Sequence, residues 1–180
     1  MQIAKLFLAG GVSLLILAGA GCKAGAVPEL SHSSGELRRG QRVPNEREED
    51  AIGSSSTRIG RSARGFRSLM RYDGPTVVFK DEERTGADRM MTPRLAKHLS
   101  RLARLVSGEW PGVYLRITEA WDEQREHGSR SAHYEGRAAD LTTSDLDAGK
   151  LGRLGYLAVQ AEFDWVYYEN QRHIHVSVKH

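Results

Sequence analysis

Lys150-Leu-Gly-Arg-Leu-Gly-Tyr-Leu-Ala-Val-Gln-Ala161 leads into Trp165-Val-Tyr-Tyr-Glu169 and then His173-Ile-His-Val-Ser-Val178. The first piece brings Leu151, Leu154, Leu157, Ala158 and Ala161 to one side at helical spacing, which predicts a helix over Lys150–Ala161. The next two pieces alternate with period two. That period puts Trp165, Tyr167 and Glu169 on one face of a strand, and His173 with His175 on one face of the next. A polar turn, Asn170-Gln171-Arg172, joins them.

Working outward, Thr76–Phe79 has the β-branched character of a short strand. Thr92-Pro93 is a helix start, with the threonine as N-cap and the proline at the first helical position. Leu95, Leu99, Leu102, Leu105 and Val106 follow at three and four, and Gly108 and Pro111-Gly112 end the run. Val113, Leu115 and Ile117 alternate with polar or half-polar neighbours, so 113–119 reads as a strand. Arg137–Leu141 is a short extended piece. Two main helices among several short strands predict an α+β fold, a small antiparallel-sheet sandwich.

The chain has 180 residues, enough for one ordinary domain with appendages. Residues 1–21 combine Lys5, an apolar run Leu6–Leu17 and the small residues Ala18–Gly21, the layout of a secretory signal peptide. The run is shorter than the roughly 20 apolar residues of a membrane span. Cys22, the lone cysteine, follows directly. It has no internal disulfide partner and lies where bacterial lipoproteins are cleaved, so lipid attachment is expected there; Ala18-Gly19-Ala20 also suits ordinary signal peptidase.

Residues 23–71 hold ten Lys/Arg against six Asp/Glu, whereas 72–180 hold fifteen against seventeen. The basic excess therefore belongs to a Gly/Ser/Arg/Glu-rich tract with few aliphatic residues. Residues 22–64 are read as a disordered, lipid-anchored tether, and 65–180 as the folded domain. Arg58, Arg61, Arg64, Arg67 and Arg71 recur along the basic tract, as a solvated linker or as a contact for an acidic surface. No feature points to nucleic acid.

Ser131-Ala-His133-Tyr-Glu-Gly136-Arg-Ala138-Ala-Asp140 carries the chemistry. Catalytic zinc sites keep three protein ligands and leave a position for water, and a single cysteine excludes a Cys-built zinc finger. His133, Asp140 and His175 supply two nitrogens and an oxygen, with His173 an alternative to His175. Glu169 is placed to act as base for a water whose pKa zinc lowers to about 7. A second group, Asp81-Glu82-Glu83, Asp88, Glu119 and Asp122, clusters carboxylates. It is either a solvated acidic patch or a site for a hard cation.

The stretch Ser131-x-His133-x-x-Gly136-x-Ala138-x-Asp140 resembles the metal motif of the D-alanyl-D-alanine carboxypeptidases. A longer resemblance lies over it. Phe79–Thr92, Trp110-Pro-Gly-Val113, Arg116–Asp122, His133–Arg137, Asp140–Asp145 and Phe163–Glu169 are similar to the Hedgehog N-terminal signalling domain, and the match covers about residues 72–179. That resemblance implies an α+β sandwich, zinc on His133, Asp140 and His175, and a catalytic-type Glu169 accompanied by His173 and His127. It also implies calcium at Glu82, Glu83, Asp88, Glu119 and Asp122. Gln124 stands where the family has a further aspartate, so one calcium ion is expected rather than two.

The two families imply different functions. Where the carboxypeptidases carry an arginine that grips the substrate's terminal carboxylate, this chain has Asp122. The sequence after Cys22, Lys-Ala-Gly, differs from the Gly-Pro-Gly-Arg start of animal Hedgehogs. No self-splicing domain follows His180, so cholesterol attachment is not expected. A short, lipoprotein-like secreted chain looks like a bacterial-type relative. The leading expectation is a zinc-dependent hydrolase of cell-wall (peptidoglycan) peptides. The alternative is a non-catalytic signalling or binding module, with a protein receptor as partner, whose zinc and calcium shape an interaction surface.

Overall fold

The computed structural model describes residues 35–180. The signal peptide and Cys22 lie outside the described residues. In chain order the elements are β1 (Arg42–Val43), α1 (Glu48–Ile52), β2 (Met70–Arg71), β3 (Val77–Phe79), β4 (Met90–Met91) and α2 (Pro93–Glu109). Then follow β5 (Leu115–Glu119), β6 (Ala138–Thr143), α3 (Leu151–Gln160), β7 (Trp165–Tyr167) and β8 (Ile174–Ser177).

Six strands form one sheet in the order β1-β7-β8-β6-β5-β3, and β2 pairs with β4 in a small second sheet. The α+β architecture with two main helices is as expected. The main sheet is mixed rather than wholly antiparallel, because β3 runs parallel to β5. The cause is the connection: a parallel pair needs a long crossover, and α2 lies between these two strands in sequence. Helix α2 also runs three residues past Val106, Gly108 notwithstanding, until Trp110 N–H closes onto the Val106 carbonyl.

The period-two alternation decides what each sheet face meets. Leu115, Ile117, Ala139, Leu141, Val166, Ile174 and Val176 turn to one side and join Leu95, Leu99, Leu102 and Val106 of α2 and Leu151, Leu154 and Leu157 of α3 in the main core. Truncating one of these leucines to alanine costs about 2–5 kcal/mol. Thr92 caps α2 by accepting from Leu95 N–H, an interaction of about 1 kcal/mol. The opposite face carries Trp165, Tyr167, Asp140 and His175.

Residues 35–64 correct the tether expectation, because they pack on the domain. Leu37 is buried, its N–H bonds the Gly152 carbonyl, and β1 adds an edge strand to β7. A Cβ on Gly152 or Gly155 would sit 2.7 Å from the Leu37 carbonyl oxygen or 2.5 Å from Leu37 Cδ1, which is why α3 carries glycine there. Ala51 and Ile52 form a second cluster with Ala132, Ala138 and Trp165. Arg137, 1% exposed, donates to the Ile52 and Val178 carbonyls and pairs with Glu135, while Glu135 accepts from Ser56 and Thr57 N–H. The basic residues are not one solvated run either: Arg61 is bonded to Glu123, and Arg58 lies over the Tyr134 ring.

Candidate metal centre

Asp140 and His175 are register partners across β6 and β8, so the pleat turns both to the same face. His133 reaches them from a turn over residues 132–135. Ser131 Oγ caps that turn by accepting from His133 N–H, and Gly136 ends it at φ +64. A side chain at Gly136 would also meet Leu69 at 2.8 Å. The three polar tips converge: His133 Nε2 lies 3.3 Å from His175 Nδ1, His175 Nδ1 is 2.9 Å from Asp140 Oδ1, and His133 Nε2 is 3.5 Å from that oxygen. Ligands at about 2.0–2.1 Å from a tetrahedral zinc are about 3.3–3.4 Å apart. The trio has that spacing.

The outer nitrogens fix the tautomers. His133 Nδ1 is 2.6 Å from the Ala120 carbonyl, and His175 Nε2 is 2.8 Å from Glu48 Oε1. Both partners only accept, so each ring keeps a proton on the far side, and the inward nitrogen is left to a metal ion or to a second proton beside the carboxylate. Three converging acceptors repel unless a cation or a proton sits among them. With a proton in the place of an ion, burial would raise Asp140, yet the two protonated rings, His133 and His175, hold it well below the usual carboxylate range. His133, Asp140 and His175 together could hold a metal ion.

An open cleft of about 800 Å³ lies over the trio, lined by Glu48, Glu49, His127, Trp165, Glu169 and His173 among others. Glu169 lies past the end of β7, and its Oε2 is 2.9 Å from His173 Nε2. That hydrogen bond lowers the Glu169 pKa against the opposing effect of burial. His173 Nε2 is 3.6 Å from Asp140 Oδ2, so it flanks the trio while His175 occupies it. His127 stacks on His133 with ring centroids 4.1 Å apart, and its Nδ1 lies 3.0 Å from Asp122 Oδ2. Five of the six residues named for zinc and catalysis thus line one cleft, and the sixth, His133, lies fully buried beneath it.

The acidic group behaves differently. Glu83, Asp88, Glu119 and Asp122 line a cavity of about 60 Å³ together with Gln124 and Glu126. Burial pushes Asp88 up to about 6, with the charges of Glu83 and Asp81 adding to it against hydrogen bonds from Asp81 and Ala120 N–H. Burial likewise pushes Glu119 up to about 7, with the Asp140, Asp122 and Asp88 charges adding and His133 opposing. Glu82 departs from the expectation. Its side chain is 64% exposed and pairs with Lys80 at 2.9 Å, outside the cavity. Asp122 is spent locally, accepting from the N–H groups of Arg125, Glu126 and His127.

Sequence reasoning missed Glu48, which touches His175 from a segment taken for a tether. It also missed Glu49, which ties Arg130 to the same cleft wall. No motif marks these residues; Glu48-Glu49-Asp50 reads as an ordinary acidic run.

Comparisons with known proteins place the chain in a family. The Hedgehog amino-terminal signalling domain matches residues 22–177, a span that begins at Cys22. Indian hedgehog protein of Xenopus laevis is 46% identical over 99% of this chain and 46% of its own length. Sonic hedgehog protein of Danio rerio is 52% identical over 77% of the chain and 34% of its own length. Protein hedgehog of Drosophila hydei is 50% identical over 77% and 29%. The chain thus spans less than half the length of the curated relatives it matches.

Proposed function

This chain belongs to the Hedgehog amino-terminal signalling domain family, and we propose that it works as an exported signalling module that docks a protein receptor at the metal-floored cleft. In this reading His133, Asp140 and His175 hold zinc, and Glu83, Asp88, Glu119 and Asp122 with the Gln124 carbonyl hold one calcium ion. Signal cleavage leaves Cys22 at the new N-terminus as a lipid attachment point. Bound zinc supplies a Lewis acid and a fixed positive charge at the cleft floor.

The state of Asp122 carries the choice of receptor docking over peptide hydrolysis. The carboxypeptidases carry an arginine there for the terminal carboxylate of their substrate. Asp122 is held by three backbone amides and lines the small acidic cavity rather than the cleft, so neither it nor a calcium ion in that cavity presents a guanidinium-like donor to the cleft. The arginines lining the cleft, Arg47 and Arg130, both pair with Glu49 at its exposed rim. Glu169 supports hydrolysis as the second reading, because it stands beside the trio with His173 as hydrogen-bond partner.

Zinc analysis of the purified full chain together with D-alanine release from peptidoglycan fragments separates the two. One zinc per chain, lost in His133→Ala, with no release above that of Glu169→Ala, is the expected outcome. Release by the wild type that Glu169→Ala abolishes would establish the hydrolase instead.

A further inference from the structure

The segment 46–57 meets the domain at two polar anchors, with Ala51 and Ile52 packed on Ala132, Ala138 and Trp165 as well. One is a clasp: buried Arg137 takes the Ile52 carbonyl, and Glu135 takes Ser55 Oγ with the N–H groups of Ser56 and Thr57. The other is at the metal trio. Glu48 Oε1 accepts from His175 Nε2 at 2.8 Å, next to Trp165 Nε1, which donates to the Glu46 carbonyl at 3.0 Å. Between the anchors lies α1, five residues with no side-chain hydrogen bond at its N-cap. A helix that short has no stability of its own and stays formed only through what it touches. Its Glu48 and Glu49 form part of the cleft wall.

We infer that this segment is a strap whose closure is coupled to the metal centre through Glu48. With Glu48 in place the His175 ring is pinned with Nε2–H on Glu48 and Nδ1 turned toward His133 and Asp140. With Glu48 withdrawn, the ring loses the outer contact that fixes its orientation over the trio. An ion at the trio in turn fixes His175 with Nε2–H pointing at Glu48, which closes the strap. Coupling of this kind is reciprocal. Metal occupancy therefore sets one wall of the cleft as well as its floor. The inference rests on the zinc reading of His133, Asp140 and His175.

The test uses the full chain, with zinc affinity measured by competition against a chromophoric chelator and strap closure by amide hydrogen exchange over residues 46–57. Loss of an outer-shell partner weakens a metal site about 10–100-fold. Glu48→Ala is expected to show a loss of that size, and Glu48→Gln, which keeps an acceptor oxygen, to recover most of it. Zinc is expected to slow exchange over 46–57 in the wild type and to leave it unchanged in Glu48→Ala. Wild-type affinity in Glu48→Ala, or wild-type strap exchange indifferent to zinc, overturns the coupling. A His133→Ala chain that keeps its zinc overturns the metal reading beneath it.

Discussion

The trio and the acidic cavity adjoin each other, yet they are built in opposite ways. His133, Asp140 and His175 ride on paired strands and a capped turn, with their tips already within 3.5 Å of one another. Glu83, Asp88, Glu119 and Asp122 stand mostly on loops, and two of them give their oxygens to backbone amides. A site whose ligands share a sheet face inherits its geometry from the fold. A site gathered from loops draws its geometry from the ion.

Four experiments break or sharpen that contrast. Asp140→Ala removes the only carboxylate of the trio, and stoichiometric zinc should vanish from the metal analysis while calcium uptake survives. Arg137→Ala withdraws one side of a buried ion pair beneath both the strap and the β6 start, a change that costs about 3–5 kcal/mol in general. Chemical denaturation should show a loss of that order. A loss under about 1 kcal/mol would mean that the platform is held otherwise. Glu83→Ala should weaken calcium binding about tenfold (about 1.4 kcal/mol) by calorimetry and leave zinc affinity untouched, since Glu83 itself makes no contact with His133, Asp140 or His175 or with their hydrogen-bond partners. Glu82→Ala should be nearly silent, within about 0.5 kcal/mol for stability as for other surface changes, with wild-type calcium affinity. A strong calcium loss there would restore Glu82 to the site.

What was legible in the chain follows the same division. The shared face of His173 and His175 was legible from period two in 173–178, because strand alternation is a local rule, but the choice between them was not, and the ligand set came from the family resemblance. The parallel pairing of β3 with β5 was not legible either, because it depends on how α2 crosses the sheet. The strap was hidden by its chemistry. Its polar anchors are Glu48, Ser55 and backbone carbonyls bound by Arg137, and its buried apolar pair, Ala51-Ile52, is too short to show a period. Glu82 stands outside the cavity for a related reason: adjacent residues in a loop need not face the same way, and Lys80 pairs with it.

The claim that the cleft is a docking surface built around a metal is tested most directly by displacement of labelled zebrafish Sonic hedgehog protein from responsive cells. The zinc-loaded full chain is predicted to displace the label, and the zinc-stripped or His133→Ala chain to do so at least tenfold more weakly. Equal displacement with and without zinc, or none by the loaded chain, would contradict the account.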